Sequence, residues 1–387
     1  MTKIPRDQEN DYTNEAADGR RKFIRQKTFC KTDHIGSYSV DPAQLAGNIE
    51  NFMGVAQVPI GVAGPLLVDG EYANGEFYVP LATTEGTLVA SYNRGMKLLY
   101  ESGGVTVTVV DDVMQRAPAF EFRSAREARN FGLWAGENLE QIQSRTNATS
   151  AVGRLREIQL FLAGRFLFMR FNFKTGDAAG QNMVTKATKN ACDWLMTAYP
   201  GIVRYQLEAS MATDKKASAM NMLHTRGKRV IAEAVISSYY LQKIMRTTPE
   251  QLLAARLTSQ LGGFMAGVNN NGAHSANAIA AMFIACGQDV ANVAESSAAA
   301  VYADINEDGN YYFSITIPSL IVATHGGGTA LPTQRECLEM MDCYGRGKAK
   351  KFAEIVAATV LCGELSLGSA AVTDEWVASH ERLGRNR

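Results

Sequence analysis

Residues 252–300 read LLAARLTSQLGGFMAGVNNNGAHSANAIAAMFIACGQDVANVAESSAAA, and only Arg256, Asp289 and Glu295 in that stretch carry a full charge. Small side chains let helices approach closely, and a segment with no polar stripe has no face to offer water. The stretch therefore predicts the buried core of a large domain. Its longest small-residue run, around Ala276 to Cys286, is too short to span a bilayer. Downstream, a strand is expected over Tyr311–Ile317, then a Gly-rich turn at His325-Gly326-Gly327-Gly328-Thr329, two helices and the basic tail ASHERLGRNR. Upstream, a strand is expected over Arg229–Ile236. Before it, residues 117–207 alternate strand, helix (Ser124–Gln143), a strand pair around Arg154–Asn172 turning at Gly164, helix (Asn182–Tyr199) and strand (Val203–Leu207), the texture of a compact α+β unit. Earlier still, VPIGVAGPLLVD (Val58–Asp69) and EFYVP (Glu76–Pro80) predict a hairpin. Leu81–Tyr100 predicts a helix with Thr83 or Thr84 as N-cap and Glu85 in its first turn. Residues 1–50 form a polar, helix-leaning arm too small to fold alone.

The chain has 387 residues, enough for two or three domains. Its 39 Lys+Arg balance 39 Asp+Glu, so no broad positive field exists to hold nucleic acid or an anionic membrane, and a charged ligand must be met by a local cluster. The first 25 residues are polar and charged where a signal peptide needs an apolar region. Six cysteines (30, 192, 286, 337, 343, 362) show no metal-site spacing, which predicts free thiols, a reducing cytoplasmic setting and no bound metal.

Several clusters carry chemistry-bearing groups. Glu85 stands alone among small and apolar residues in PLATTEGTLVAS; if buried it must be protonated, paired or functional, and the plain alternative is a helix-start acid. Thr213-Asp214-Lys215-Lys216 sets two ammonium groups side by side with Asp214 as an anchor: one suits a polarised carbonyl and the other a carboxylate, unless both are solvated surface. Asp289 ends an apolar run, where it is a cap or an acid beside a lysine. His274 reads as a core hydrogen-bonding residue, and His380 as solvated tail or a general acid brought in from the terminus. GDAAGQNM (Gly176–Met183) ends at a helix start whose N–H groups suit a pyrophosphate, and GGGT reads as a turn where backbones approach closely.

Taken in order, Glu50-Asn51…Gly54, VPIGVAGPL, LATTEGTLVASYNRGMK, DDVMQRAP, GDAAGQNM, TDKKASAMN, ACGQDVAN, GGGTALPTQ, CGELSL and the terminal SH…RNR resemble the soluble catalytic part of 3-hydroxy-3-methylglutaryl-CoA (HMG-CoA) reductase of the class I type, over about 340 residues. The resemblance implies an α+β fold. It has a helical dimerisation arm (1–50), a large catalytic domain around a central helix (51–116 and 208–387) and an inserted ferredoxin-like cofactor-binding domain (117–207). It implies an oxidoreductase of isoprenoid biosynthesis that reduces HMG-CoA to mevalonate and CoA with two NADPH, as a homodimer or higher even oligomer.

By the same resemblance Lys215 stabilises the oxyanion, Glu85 donates a proton, Asp289 tunes both neighbours and His380 protonates the departing thiolate. Arg116, Lys216 and Asn277 bind the HMG portion; Asn93, Arg94 and His274 line the CoA side; Ser150, Asp177, Gly180, Gln181 and Asn182 form the cofactor segment. The chain departs from the family pattern at Ala151, where an arginine usually follows the serine; this admits NADH as electron donor, with Arg145, Arg154 and Lys186 as basic residues nearby in sequence. LEASMA precedes the TDKK loop where the family has a different, serine-containing segment, with Ser210 as a stand-in, and a family lysine has only Arg256 and Ser259 near its place. Thr87 replaces a usual cysteine. The alternatives are an NADH-dependent or mevalonate-oxidising enzyme of the same fold, and a non-catalytic CoA-thioester-binding dimer.

Overall fold

A computed structural model describes residues 3–373. The arm is organised by α1 (Asn14–Thr28), which starts where the Thr13 side chain accepts the Ala16 N–H. Two arginines on this helix are buried: Arg20 donates to the Phe52 carbonyl at 2.8 Å and Arg21 to the Met53 carbonyl at 2.7 Å. Together with a small apolar cluster of Ala17, Leu45 and Phe52, these bonds fasten the arm to the segment that leaves it.

The chain then forms β1 (Ile60–Gly70), β2 (Asn74–Ala82), α2 (Leu88–Glu101) and β3 (Val105–Arg116). Next come β4 (Ala119–Glu121), α3 (Ala125–Glu137), α4 (Leu139–Asn147), β5 (Arg154–Ala163), β6 (Phe166–Lys174), α5 (Gln181–Ala198) and β7 (Arg204–Gln206). The remainder is α6 (Ala219–Leu223), β8 (Gly227–Ile236), α7 (Ser238–Tyr240), α8 (Pro249–Met265), α9 (Ser275–Ala285), α10 (Val293–Ser296), β9 (Ala300–Ile305), β10 (Tyr311–Leu320), α11 (Pro332–Met340) and α12 (Ala349–Val372).

β3 belongs to two sheets. Its first part pairs in parallel with β1 and antiparallel with β8, giving the order β2-β1-β3-β8-β10-β9. Its last residues, Met114–Arg116, pair instead with Phe171–Phe173 of β6, in a second antiparallel sheet ordered β7-β4-β6-β5. With its helices, that second sheet is a split βαββαβ unit, the ferredoxin-like topology. Each sheet has its own core: one holds Phe120, Phe131, Phe171, Leu195 and their neighbours, the other most of the remaining buried apolar residues.

The larger core is built around α12, in which every residue from Phe352 to Ser366 is buried. The helix is long and apolar enough to cross a membrane by length and composition, but 78% of its most apolar window is buried inside the protein. Its two buried acids have defined partners. Glu354 accepts the N–H groups of Glu71, Tyr72 and Ala73 at the β1–β2 turn, and Glu364 accepts those of Ala273 and His274 at the start of α9. Glycines let the neighbours close in: a Cβ on Gly95 of α2 would strike the Cys362 carbonyl.

Three expectations need correction. The charge-poor stretch 252–300 supplies the buried helix α9, yet the centre is α12, and α8 leaves Leu257, Leu261, Phe264 and Met265 exposed. Small-residue composition marks helices able to pack closely but does not rank them by position. The helix expected from Leu81 starts at Leu88, because β2 runs on to Ala82 and Thr87 adopts a left-handed conformation (φ 72°) that delays the first turn. Glu85 therefore sits in an exposed loop and is neither a buried acid nor part of a helical first turn. The single helix expected over Ser124–Gln143 divides at Asn138, whose side-chain amide donates to the Trp134 carbonyl. Of the six cysteines, all free, Cys30 is exposed and five are buried.

Candidate active site

The 210–216 loop is held in an unusual backbone conformation: Ser210 (φ 66°), Thr213 (φ 59°) and Lys215 (φ 56°) are all left-handed. Such residues cost of order 1 to 3 kcal/mol each and persist only where surrounding bonds over-determine them. Here the bonds are present. The Lys215 N–H donates to Glu295 at 2.9 Å, the Asn221 amide donates to the Lys216 carbonyl at 2.9 Å, and the Thr213 hydroxyl bonds to Asn221. Asp214 pairs with the fully buried Arg226 at 2.7 Å, which confirms it as the loop's anchor, and Arg226 also pairs with buried Glu295 at 3.2 Å. Burial pushes the Glu295 carboxyl up to about 7 against the opposing pull of Arg226. Neither Glu295 nor Arg226 is singled out by the sequence reading. The available signal was that Glu295 is one of only three charges in the charge-poor stretch, where an acid must find a partner.

The loop presents Lys215 outward, with its ammonium 3.0 Å from the Asp289 carboxylate and both side chains 44% exposed. An ion pair this accessible contributes little to stability, so its value lies in chemistry: a positioned cation with a carboxylate beside it. Asp289 is itself fixed by accepting the Ala291 N–H at 3.1 Å. The strand-to-turn segment behind it packs through bare backbone, since a Cβ on Gly287 would strike the Gly328 carbonyl; this is the close approach expected of the GGGT turn.

Glu85 accepts a hydrogen bond from the Asn277 side chain at 2.9 Å, which brings these two together in one cluster; no ion pair joins Glu85 to Lys215 among the described residues. His274, three residues before Asn277, is buried flat against Tyr92 with ring centroids 4.9 Å apart, and the Tyr92 hydroxyl donates to its carbonyl. Burial holds the imidazole down to about 4, so it is neutral at physiological pH. His274 is thus buried as expected of a core residue, but its Nδ1 has no hydrogen-bond partner among the described residues. Asn93 accepts the Gly64 N–H at 3.0 Å, and Arg94 donates to the Ser366 hydroxyl and carbonyl at 3.1 and 2.7 Å. Arg116 is buried and turned to acids, 2.7 Å from Glu208 and 3.6 Å from Asp214, while Lys216 donates to the Asp214 carbonyl. His380 lies outside the described residues.

Residues 16–385 match the family model described as hydroxymethylglutaryl-coenzyme A reductase. The chain belongs to this family. It is 46% identical over 378 residues to the 3-hydroxy-3-methylglutaryl-coenzyme A reductase of Pyrococcus horikoshii, covering 96% of this chain and 92% of the relative. The reductase of Methanocaldococcus jannaschii is 43% identical, with 96% and 93% covered. The Strongylocentrotus purpuratus reductase is 42% identical over 349 residues, 87% of this chain and 37% of that protein. Among solved structures, the class II reductase of Streptococcus pneumoniae bound to NADPH superposes with a TM-score of 0.70 at 19% identity, covering 92% of this chain and 86% of that one, a likeness of fold.

Against the family pattern, the 176–183 turn is informative. Gly180 is left-handed (φ 79°) and a Cβ there would strike Thr175; no side chain among the described residues caps α5, which leaves its first N–H groups for an anion. Gln181 donates to Asn292 at 2.9 Å, near the Asp289 turn, and Asn182 is exposed. Asp177 is differently engaged: its carboxylate accepts the N–H groups of Gly347 and Ala349 at the start of α12. Ser150 accepts the N–H groups of Val152 and Gly153, and the Arg154 guanidinium donates to the Ser150 and Gly153 carbonyls at 2.7 and 3.0 Å. Arg145 instead lies over the Trp194 ring. Arg256 donates to the Asn271 carbonyl, which directs it into the loop ahead of α9.

Proposed function

We propose that this chain reduces the thioester of HMG-CoA to the primary alcohol of mevalonate, with two equivalents of NADPH and release of CoA, as a class I reductase. The observation that carries the reading is the Lys215–Asp289 pair, held at 3.0 Å on a loop whose left-handed residues are pinned from below by Glu295. Support for the class comes from the ordered motifs, while identities above 40% to archaeal and animal reductases support the family.

Each residue has a task suited to its place. The Lys215 ammonium donates to the oxygen that becomes negative as the thioester, and then the aldehyde, is attacked. Asp289 orients that ammonium. Glu85, held by Asn277, supplies a proton at the aldehyde stage, and His380 protonates the CoA thiolate. Lys216 and Arg116 meet the free carboxylate of the HMG group, with Arg116 exchanging Glu208 for it. Asn93, Arg94 and His274 border the CoA side. The uncapped start of α5 at Gly180, with Gln181, Asn182, Asp177 and Ser150, fits a dinucleotide pyrophosphate. NADPH when bound there supplies the hydride.

The domain reading assigns 1–50 to a dimerisation arm, 51–116 with 208–387 to the catalytic domain and 117–207 to the cofactor domain. The homodimer forms through Glu50–Gly54, where Glu50 and Asn51 are exposed to a second copy. A cytoplasmic location accords with five buried free thiols.

The test is the rate of nicotinamide oxidation with HMG-CoA, run in parallel with NADPH and NADH. Turnover dependent on HMG-CoA is expected, and Arg154 beside Ser150 supports preference for NADPH. Binding of HMG-CoA with no turnover on either cofactor overturns the reading.

A further inference from the structure

A cavity of about 300 Å³ opens where the two sheets meet, away from the Lys215–Asp289 pair. Its wall holds three guanidinium groups, Arg156 and Arg170 from the small sheet and Arg229 from β8, with Asp111, Glu157 and His224. Three guanidinium groups thus face two carboxylates, with Asp111 also attracting Arg229 and Glu157 attracting Arg170. Arg156 takes Asp111 at 2.7 Å, and Glu157 accepts from the Asn172 amide at 3.3 Å. Arg170 is 1% exposed yet among the described residues donates only to neutral acceptors, Gln159 at 3.0 Å, Asn172 at 3.3 Å and the Thr225 carbonyl at 3.5 Å, and its Nε has no hydrogen-bond partner among them. Arg229 likewise donates to the Thr225 hydroxyl at 3.1 Å and the Met222 carbonyl at 2.9 Å, both neutral.

A guanidinium cannot shed its proton in a protein, so a buried one without a counter-ion is unfavourable until an anion is supplied. Burial, and after it the charge of nearby Arg226, bring Arg170 down to about 10 against the weaker pull of Glu157, the direction an under-compensated cation takes. The planar fork suits two oxygens of one anion. The cavity is large enough for an ion of phosphate size with a few waters.

We propose that this cavity is a binding site for a small oxyanion of the phosphate class, held by Arg170 and Arg229 with Arg156 and His224 at the mouth. Free phosphate and the phosphate of a small phosphomonoester share that chemistry. The bound anion lies one residue from Arg226, since the Thr225 carbonyl is an acceptor of Arg170, so it relieves repulsion between the two guanidinium groups and stiffens the base of the Lys215 loop.

The test is a titration of the full chain with inorganic phosphate, at constant ionic strength set with chloride and run both without and with saturating coenzyme A, followed by calorimetry and by Tm. Saturable binding and a rise in Tm are expected, weakened about tenfold or more in Arg229→Gln and in Arg156→Gln. Arg170→Met is expected to abolish binding, but its burial makes the Arg229 and Arg156 variants the decisive ones. Replacing phosphate by glycerol phosphate separates the sources: equal binding assigns the site to a phosphomonoester, and no binding assigns it to the free ion. A response equal to that of chloride alone overturns the proposal. So does a response that coenzyme A removes, or one that the Arg229 and Arg156 variants leave unchanged.

Discussion

The backbone N–H of Lys215 and the guanidinium of Arg226 converge on one buried carboxylate, that of Glu295, at 2.9 and 3.2 Å. The side chain proposed for catalysis is thus placed by an acid that never reaches solvent. Glu295→Gln keeps an acceptor for the Lys215 N–H but leaves Arg226 with Asp214 as its one ion-pair partner among the described residues. Breaking one side of a buried pair costs about 3 to 5 kcal/mol. Chemical denaturation at a pH above about 7, where the Glu295 carboxyl is ionised, is expected to show a smaller loss than that, because Asp214 remains and burial already opposes the charge; no loss at all would remove Glu295 from this role.

Two buried groups give stability opposite slopes with pH. The Glu295 carboxyl, raised from 4.5 to about 7, binds more protons folded than unfolded across that interval, so its contribution is full below 4.5 and fades as pH rises through about 7. His274, lowered from 6.5 to about 4, binds fewer, so its contribution is full above 6.5 and fades as pH falls through about 4. Tm measured between these limits is expected to climb more steeply with pH in Glu295→Gln than in the wild type. In His274→Gln it is expected to fall with pH.

Lys215 is exposed, so Lys215→Ala is expected to leave Tm within about 1 °C while kcat on HMG-CoA drops about 10² to 10³-fold, the range for losing one oxyanion donor. A matching fall in Tm would show instead that the ammonium holds the loop together.

Gly363 of α12 lies against the Tyr92–His274 stack: a Cβ there would meet the Tyr92 ring and His274 Nδ1. Gly363→Ala is expected to destabilise by about 1 to 3 kcal/mol through overpacking and to raise KM for HMG-CoA more than it lowers kcat. Denaturation curves and steady-state kinetics on the same preparation check both.

The parts of the fold legible in the sequence are those where pattern and punctuation agree. The β1–β2 hairpin is one, with Gly70 and Gly75 marking its turn, and the β5–β6 pair turning near Gly164 is another. β3 was missed although Val105, Thr106, Val107 and Thr108 alternate buried and exposed; the bulge between Val109 and Asp111 breaks that alternation, and two aspartates resemble a loop. In the candidate site, Lys215 and Asp289 stand out by residue type alone. The Glu295–Arg226 support does not, because the two are 69 positions apart and meet only after two sheets have folded.

The strand shared by the two sheets also sets an order for synthesis on the ribosome. Everything that completes the small core except Ile321, residues 114–202, leaves the exit tunnel before β8 does. Nascent chains fold from the N-terminal side as they emerge, so the small unit closes while one edge of β3 still waits for its neighbour. An open edge is a template for mispairing, and here the interval is spanned by Asp111 and Asp112, two charges that repel a like strand until Lys228 and Arg229 arrive to lie opposite them.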